Sequence, residues 1–137
     1  MTAEEGQGET ILVVEDAEAL RGAIKAGLES LGYRAITAAD GRRAMEVVTL
    51  ERVDLVLTDV VMPDAGGRGL LREVRARGAD VPVVAMTGYT MDAETEALRD
   101  AGFSEILPKP FSAEDLARVV RDALEAHGTW TVRRGAM

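Results

Sequence analysis

Asp59 closes an apolar run, Leu55-Val56-Leu57-Thr58, and is followed by Val60-Val61-Met62-Pro63. A buried strand that ends in a carboxylate sets a charged oxygen at the edge of a sheet, where open α/β sheets bind ligands and do chemistry. Other apolar runs end in reactive groups too. The run from Thr10 to Val14 leads into Glu15-Asp16, the run from Val81 ends in Thr87-Gly88, and Phe103 to Leu107 continues through Pro108 into Lys109-Pro110. In a parallel sheet all these ends share one edge, so three acids, a hydroxyl and a lysine converge there. Each has an ordinary explanation alone, as Asp16 does as a helix N-cap. Chance explains the whole set poorly.

Carboxylates this close repel: at ~4 Å and an effective dielectric of ~20, each pair costs ~4 kcal/mol, enough to raise one pKa by roughly 3 units. The cluster therefore requires positive charge. Hard oxygen donors suit Mg²⁺, which takes one or two protein carboxylates and keeps several waters. Lys109 supplies a second cation, and only it and Lys25 among the 16 basic residues are lysines. Metal, ammonium and hydroxyl around a carboxylate form a site for a phosphoryl group. The cations neutralise its oxygens and the carboxylate can attack as nucleophile.

The elements that must position these groups follow from periodicity. Strands are expected over Thr10–Val14, Tyr33–Thr37, Asp54–Thr58, Val81–Thr87 and Phe103–Leu107. Helices lie between them. The first carries Leu20, Ile24, Leu28 and Leu31 on one stripe and stops at Gly32; Asp40 N-caps the second, which carries Ala44, Val47, Val48 and Glu51. A third runs from about Gly67 to Arg77 and ends at Gly78, and a fourth from Asp92 to Ala101 and ends at Gly102. The last begins at Ser112, with Asp115 in capping-box position, and reaches about Ala126. Strict strand-helix alternation implies an α/β fold: a doubly wound parallel sheet with helices on both faces.

The composition narrows the function. With 137 residues and 47% hydrophobic content, one globular domain is expected. Residues 10–126 form it, 1–9 are a flexible N-terminal segment and 127–137 a tail, in which Trp130 is given no role. The net charge of -8, with no basic stripe, lacks the footprint of nucleic-acid binding. The chain contains no cysteine, which excludes disulfides and thiolate metal sites. It offers no membrane-spanning stretch, and its acidic start is unlike a signal peptide, so a cytoplasmic protein is expected.

In these features the chain resembles the receiver domains of two-component response regulators over nearly the whole of Thr10 to Ala126. The motifs are Val13-Val14-Glu15-Asp16, the segment Asp54 to Pro63 around Asp59, Met86-Thr87-Gly88-Tyr89, and Lys109-Pro110-Phe111. Each is weak alone; all four in order are highly specific. The resemblance implies a flavodoxin-like (βα)5 fold with strand order 2-1-3-4-5. It implies that Asp59 accepts a phosphoryl group from a phosphohistidine of a partner kinase or phosphotransfer protein. Asp16 and Asp59 would bind Mg²⁺ directly, Glu15 through water, and Val61 through its backbone carbonyl. Lys109, preceding a cis Pro110, would contact the phosphoryl group, and Thr87 would move in to bond it, biasing a two-state equilibrium. The chain would be a phosphoprotein switch, catalysing only its own phosphorylation and slow self-dephosphorylation.

Two residues depart from the family pattern. Glu15 stands where many receivers have aspartate, which keeps the charge and so the metal site. Ile106 stands where many carry an aromatic switch residue, and Tyr89 is the candidate to take over part of that role. Val61 and Tyr89 flank the path of an attacking water, so slow self-dephosphorylation is expected. Competing readings are a haloacid-dehalogenase-like phosphatase, which wants a second acid where Val61 stands, and a flavin carrier, whose first loop would not bear two acids. A third is a receiver-like module that is never phosphorylated. After Ala126 too few residues remain for an output domain, which suggests a stand-alone receiver or one excised from a hybrid kinase, with homodimerisation open.

Overall fold

In the computed structural model, residues 6–62, 66–88 and 92–127 are described. Strands and helices alternate: β1 (Thr10–Val14), α1 (Glu18–Ser30), β2 (Arg34–Ala38), α2 (Gly41–Leu50), β3 (Leu55–Asp59), α3 (Gly66–Ala76), β4 (Val83–Thr87), α4 (Asp92–Ala101), β5 (Glu105–Pro108) and α5 (Ala113–His127). The five strands form one parallel sheet in the order β2-β1-β3-β4-β5. This is the doubly wound architecture and strand order expected from the sequence.

Strand alternation splits the core in two. Ile11, Val13, Leu55, Leu57, Val84, Met86 and Leu107 face one way, against Ile24 and Leu28 of α1 and Leu116, Val120 and Leu124 of α5. Their neighbours Leu12, Val14, Val56, Val83 and Ala85 face the other way, against Ala44 and Met45 of α2, Leu70, Leu71 and Val74 of α3, and Leu98 of α4. Both faces of the central strands are covered, which is why their sequences read as continuous apolar runs rather than alternating ones.

The helix ends account for small shifts in strand boundaries. Tyr33 was expected to open β2 and Phe103 to open β5, but each instead closes the preceding helix. Gly32 N–H donates to the Glu29 carbonyl and Tyr33 N–H to the Leu28 carbonyl, and Gly102 and Phe103 repeat the pattern on Arg99 and Leu98. This is the Schellman arrangement, whose turning residue takes a left-handed conformation. At Gly32 φ is +94°, and a Cβ there would lie 2.7 Å from the Gly6 carbonyl oxygen. β4 likewise starts at Val83 rather than Val81, because Pro82 has no N–H to give the ladder and only its carbonyl is used, by Val56 N–H at 3.0 Å.

The start of the chain also differs from expectation. Residues 6–9 are pinned: Gly6 N–H bonds the Leu31 carbonyl, Gly8 N–H the Gly32 carbonyl, and the Glu9 carbonyl accepts from Arg34 N–H. Gly6 lies against the ring of Tyr33, where any side chain would collide with it. Polar composition suggested a loose segment through Glu9; backbone bonding to the α1–β2 turn orders its last part. Residues 1–5 and 128–137 lie outside the described residues.

Tyr33 is buried there, and burial, reinforced by the charge of Glu9, pushes its hydroxyl from 10.0 up to about 12. The folded state therefore holds this proton more tightly than the unfolded chain. The stability it contributes is whole below pH 10 and is lost as pH rises towards about 12. In urea titrations across that window, Tyr33→Phe should lose less stability with rising pH than the parent protein.

Candidate functional site

The register brings the expected groups to one edge. Val14 lies beside Thr58, Asp59 beside Met86, and Thr87 beside Pro108, so Glu15-Asp16, Asp59, Thr87 and Lys109 leave their strands together. Carboxylate oxygens of Glu15, Asp16 and Asp59 all lie within 4.8 Å of one another. Glu15 is 1% and Asp59 7% exposed, whereas Asp16 faces solvent.

Lys109 stands between the two buried acids. Its Nζ lies 3.0 Å from Glu15 Oε1 and 3.3 Å from Asp59 Oδ2. Burial opposes its charge, but the hydrogen bond it donates to Glu15 and the charge of Asp59 prevail and hold the amine above its usual range. Its own backbone N–H bonds the Thr87 carbonyl at 2.8 Å, and the Lys109–Pro110 peptide bond is cis.

The two residues of the acidic pair are used differently. Glu15 has both oxygens occupied, Oε1 by Lys109 and Oε2 by Ala17 N–H at 3.1 Å. Asp16 is not the helix cap that its position suggested. The N-cap of α1 is Ala17, which makes no side-chain capping bond, so the Asp16 carboxylate is not spent on the helix. Where caps are needed they occur: Asp40 accepts from Arg43 N–H at 2.9 Å, and Ser112 and Asp115 exchange a reciprocal capping box.

Among the remaining candidates, Thr87 ends β4 and is 1% exposed. Val61 is 64% exposed at the mouth, and its N–H approaches Asp59 Oδ1 at 3.4 Å. Ile106 pairs in register with Ala85 and packs half-buried on the α2–α4 side of the core. Tyr89 lies outside the described residues.

Three contributors escaped the sequence reading. Thr58 Oγ1 donates to the Asp59 carbonyl at 3.0 Å. Arg21 Nη1 donates to the Glu15 carbonyl at 2.9 Å. Gly67, at the start of α3, donates its N–H to the Val60 carbonyl, and a Cβ on it would sit 2.6 Å from the Asp59 carbonyl oxygen. The sequence places the start of the third helix at about Gly67, but the contact of that glycine with the backbone of Asp59 is a product of the fold. Gly67→Ala should therefore destabilise the domain by about 1–3 kcal/mol through overpacking of backbone that cannot yield cheaply, measured by urea denaturation.

The fold and this edge have known counterparts. The family model for the response regulator receiver domain matches residues 11–121. Response regulator MprA of Mycolicibacterium vanbaalenii is 38% identical over 114 residues, covering 83% of this chain and 49% of that protein. Sensor kinase CckA of Brucella abortus is 43% identical over 120 residues, covering 85% of this chain and 12% of the kinase. The chain thus spans about half the length of the response regulators it matches. Among solved structures, the chemotaxis protein CheY4 of Vibrio cholerae superposes with a TM-score of 0.80 at 28% identity, covering 85% of this chain and 98% of that one. The receiver domain of sensor histidine kinase PA1611 from Pseudomonas aeruginosa, which has a magnesium ion coordinated in its active site cleft, gives 0.77 at 35% identity over 86% and 98%. Nothing in these comparisons supports the phosphatase alternative. The chain belongs to the response regulator receiver domains of two-component signalling.

Proposed function

We propose that Asp59 is the phosphoacceptor of this receiver. The observation that carries the reading is the Lys109 ammonium set between Glu15 and Asp59, inside a carboxylate cluster that also includes Asp16. An Asp59 oxygen attacks the phosphorus of a phosphohistidine on a kinase or phosphotransfer partner. A C–O–P linkage forms, the P–N bond breaks, and the imidazole leaves. Lys109 is placed to neutralise a phosphoryl oxygen, and Thr87 to donate its hydroxyl to another once the switch has moved.

The donor set fits Mg²⁺. Three carboxylates against one ammonium leave two negative charges uncompensated at the edge, and all the donors are hard oxygens. By analogy with the family, Asp16 and Asp59 would be the direct ligands, with Glu15, whose oxygens are held by Lys109 and Ala17 N–H, acting through water and the Val61 carbonyl completing the protein share. When bound, the ion neutralises the oxygens of the transferring group. The magnesium ion in the related PA1611 receiver supports this assignment.

The output is a change of conformation and of protein contacts. Differential contacts from Thr87 and Lys109 in the phosphorylated state bias the equilibrium. With Ile106 in the place of the aromatic switch residue, Tyr89 is the proposed substitute. Among the described residues no helix is long and apolar enough to cross a membrane, and a cytoplasmic setting with a histidine kinase or phosphotransfer partner is part of the same proposal.

Incubation with a small phosphodonor and Mg²⁺ should add the mass of one phosphoryl group to the parent protein and none to Asp59→Asn; chelation should abolish the addition. An unmodified parent protein would favour the never-phosphorylated module. The exposed Val61 beside Asp59, with Tyr89, should hinder the attacking water, so the phosphorylated domain alone should persist for minutes or longer. Decay within seconds, followed by the same mass shift, would refute that part.

A further inference from the structure

The backbone of the acidic loop has one common partner. Arg21 Nη1 donates to the Glu15 carbonyl at 2.9 Å and reaches the Asp16 carbonyl at 3.5 Å, while Arg21 N–H donates to the Ala17 carbonyl at 2.9 Å. The Arg21 side chain thus meets two consecutive carbonyls, and its N–H makes an ordinary backbone bond of the first turn of α1. Among the described residues its guanidinium is half-buried and joins no carboxylate in an ion pair.

The loop needs such a hold. The N-cap of α1 is Ala17, which makes no side-chain capping bond, so the usual device that fixes the entry of a chain into a helix is missing next to Asp16. Asp16 is itself exposed and has no packing to settle its direction. One nitrogen of the planar guanidinium, Nη1, bonds the Glu15 carbonyl and reaches the Asp16 carbonyl, so it bears on both peptide planes that adjoin Asp16. With those planes fixed, so is the direction in which the Asp16 side chain leaves the backbone. The same bonds turn the carbonyl oxygens, which are hard ligands themselves, towards Arg21 and leave the carboxylates as the groups offered to a cation.

We propose that Arg21 is a positioning residue for the divalent-cation site, holding the Glu15 and Asp16 carbonyls so that the Asp16 carboxylate meets Asp59. The inference rests on the Mg²⁺ reading given above. It also has a definite sign. As a charge alone, Arg21 would repel a cation, and removing it would tighten Mg²⁺ binding; as an orienting group, its removal weakens binding.

Calorimetric titration of the unphosphorylated protein with Mg²⁺ separates the two, with the thermal midpoint in the absence of metal recorded alongside. Arg21→Ala should bind Mg²⁺ roughly tenfold or more weakly, the usual scale for losing a group that orients a metal ligand. Arg21→Lys, whose ammonium on a flexible stem is a less fixed donor than the planar guanidinium, should fall between. Unchanged or tighter binding in Arg21→Ala, whatever its thermal midpoint, overturns the proposal. Should Arg21→Ala fail to fold, Arg21→Lys carries the test alone: loss of the planar guanidinium predicts weaker binding than in the parent protein, and unchanged or tighter binding overturns the proposal. If the parent protein itself takes up no Mg²⁺ at millimolar concentration, the Mg²⁺ reading falls, and the role of Arg21 with it.

Discussion

Like charges confined to one sheet edge are the constraint around which this domain is arranged. Glu15 and Asp59 are almost fully withdrawn from water, Asp16 completes the cluster, and the ammonium of Lys109 lies within 3.3 Å of both buried acids. At such separations the pairwise repulsion is on the order of several kcal/mol, comparable to the whole stability of a small domain. Buried carboxylates persist only where something positive is fixed beside them. The lysine therefore serves the folded state before it serves any chemistry, and the sheet register that brings β5 beside β4 is what delivers it.

Much of this was legible because parallel topology turns a statement about sequence into one about space. Once the runs ending at Val14, Asp59, Thr87 and Leu107 are taken as parallel strands, their following residues must meet, and they do. The core was equally readable, since both sheet faces are covered and the central strands carry no polar alternation. Boundaries were less so. Tyr33 and Phe103 have the composition of strand residues, but their N–H groups satisfy the carbonyls of the preceding helix, a preference that apolar periodicity does not register.

The supporting residues were not legible for a different reason. Arg21 acts on carbonyls five and six residues before it, Thr58 acts on the carbonyl of the residue after it, and Gly67 matters for the side chain it lacks. Each acts on backbone through a contact that only the folded chain creates, so residue type and spacing alone do not mark them. Asp16 is a different case. Taken alone its place before a helix suggests a cap, but the set of strand ends points to a cation site, and with Ala17 at the N-cap its carboxylate is not spent on the helix.

The hydrogen bond from Lys109 N–H to the Thr87 carbonyl ties the ends of β4 and β5 together at 2.8 Å. It makes the hydroxyl and the ammonium two handles on a single lever. A phosphoryl group at Asp59, as proposed, would load the same joint through either handle, and the pull would pass into two neighbouring strands rather than one loop. Under the proposed function that load would be carried by the frame of the sheet to the helices packed beside β5, α4 and α5, with no aromatic ring at position 106 to report it.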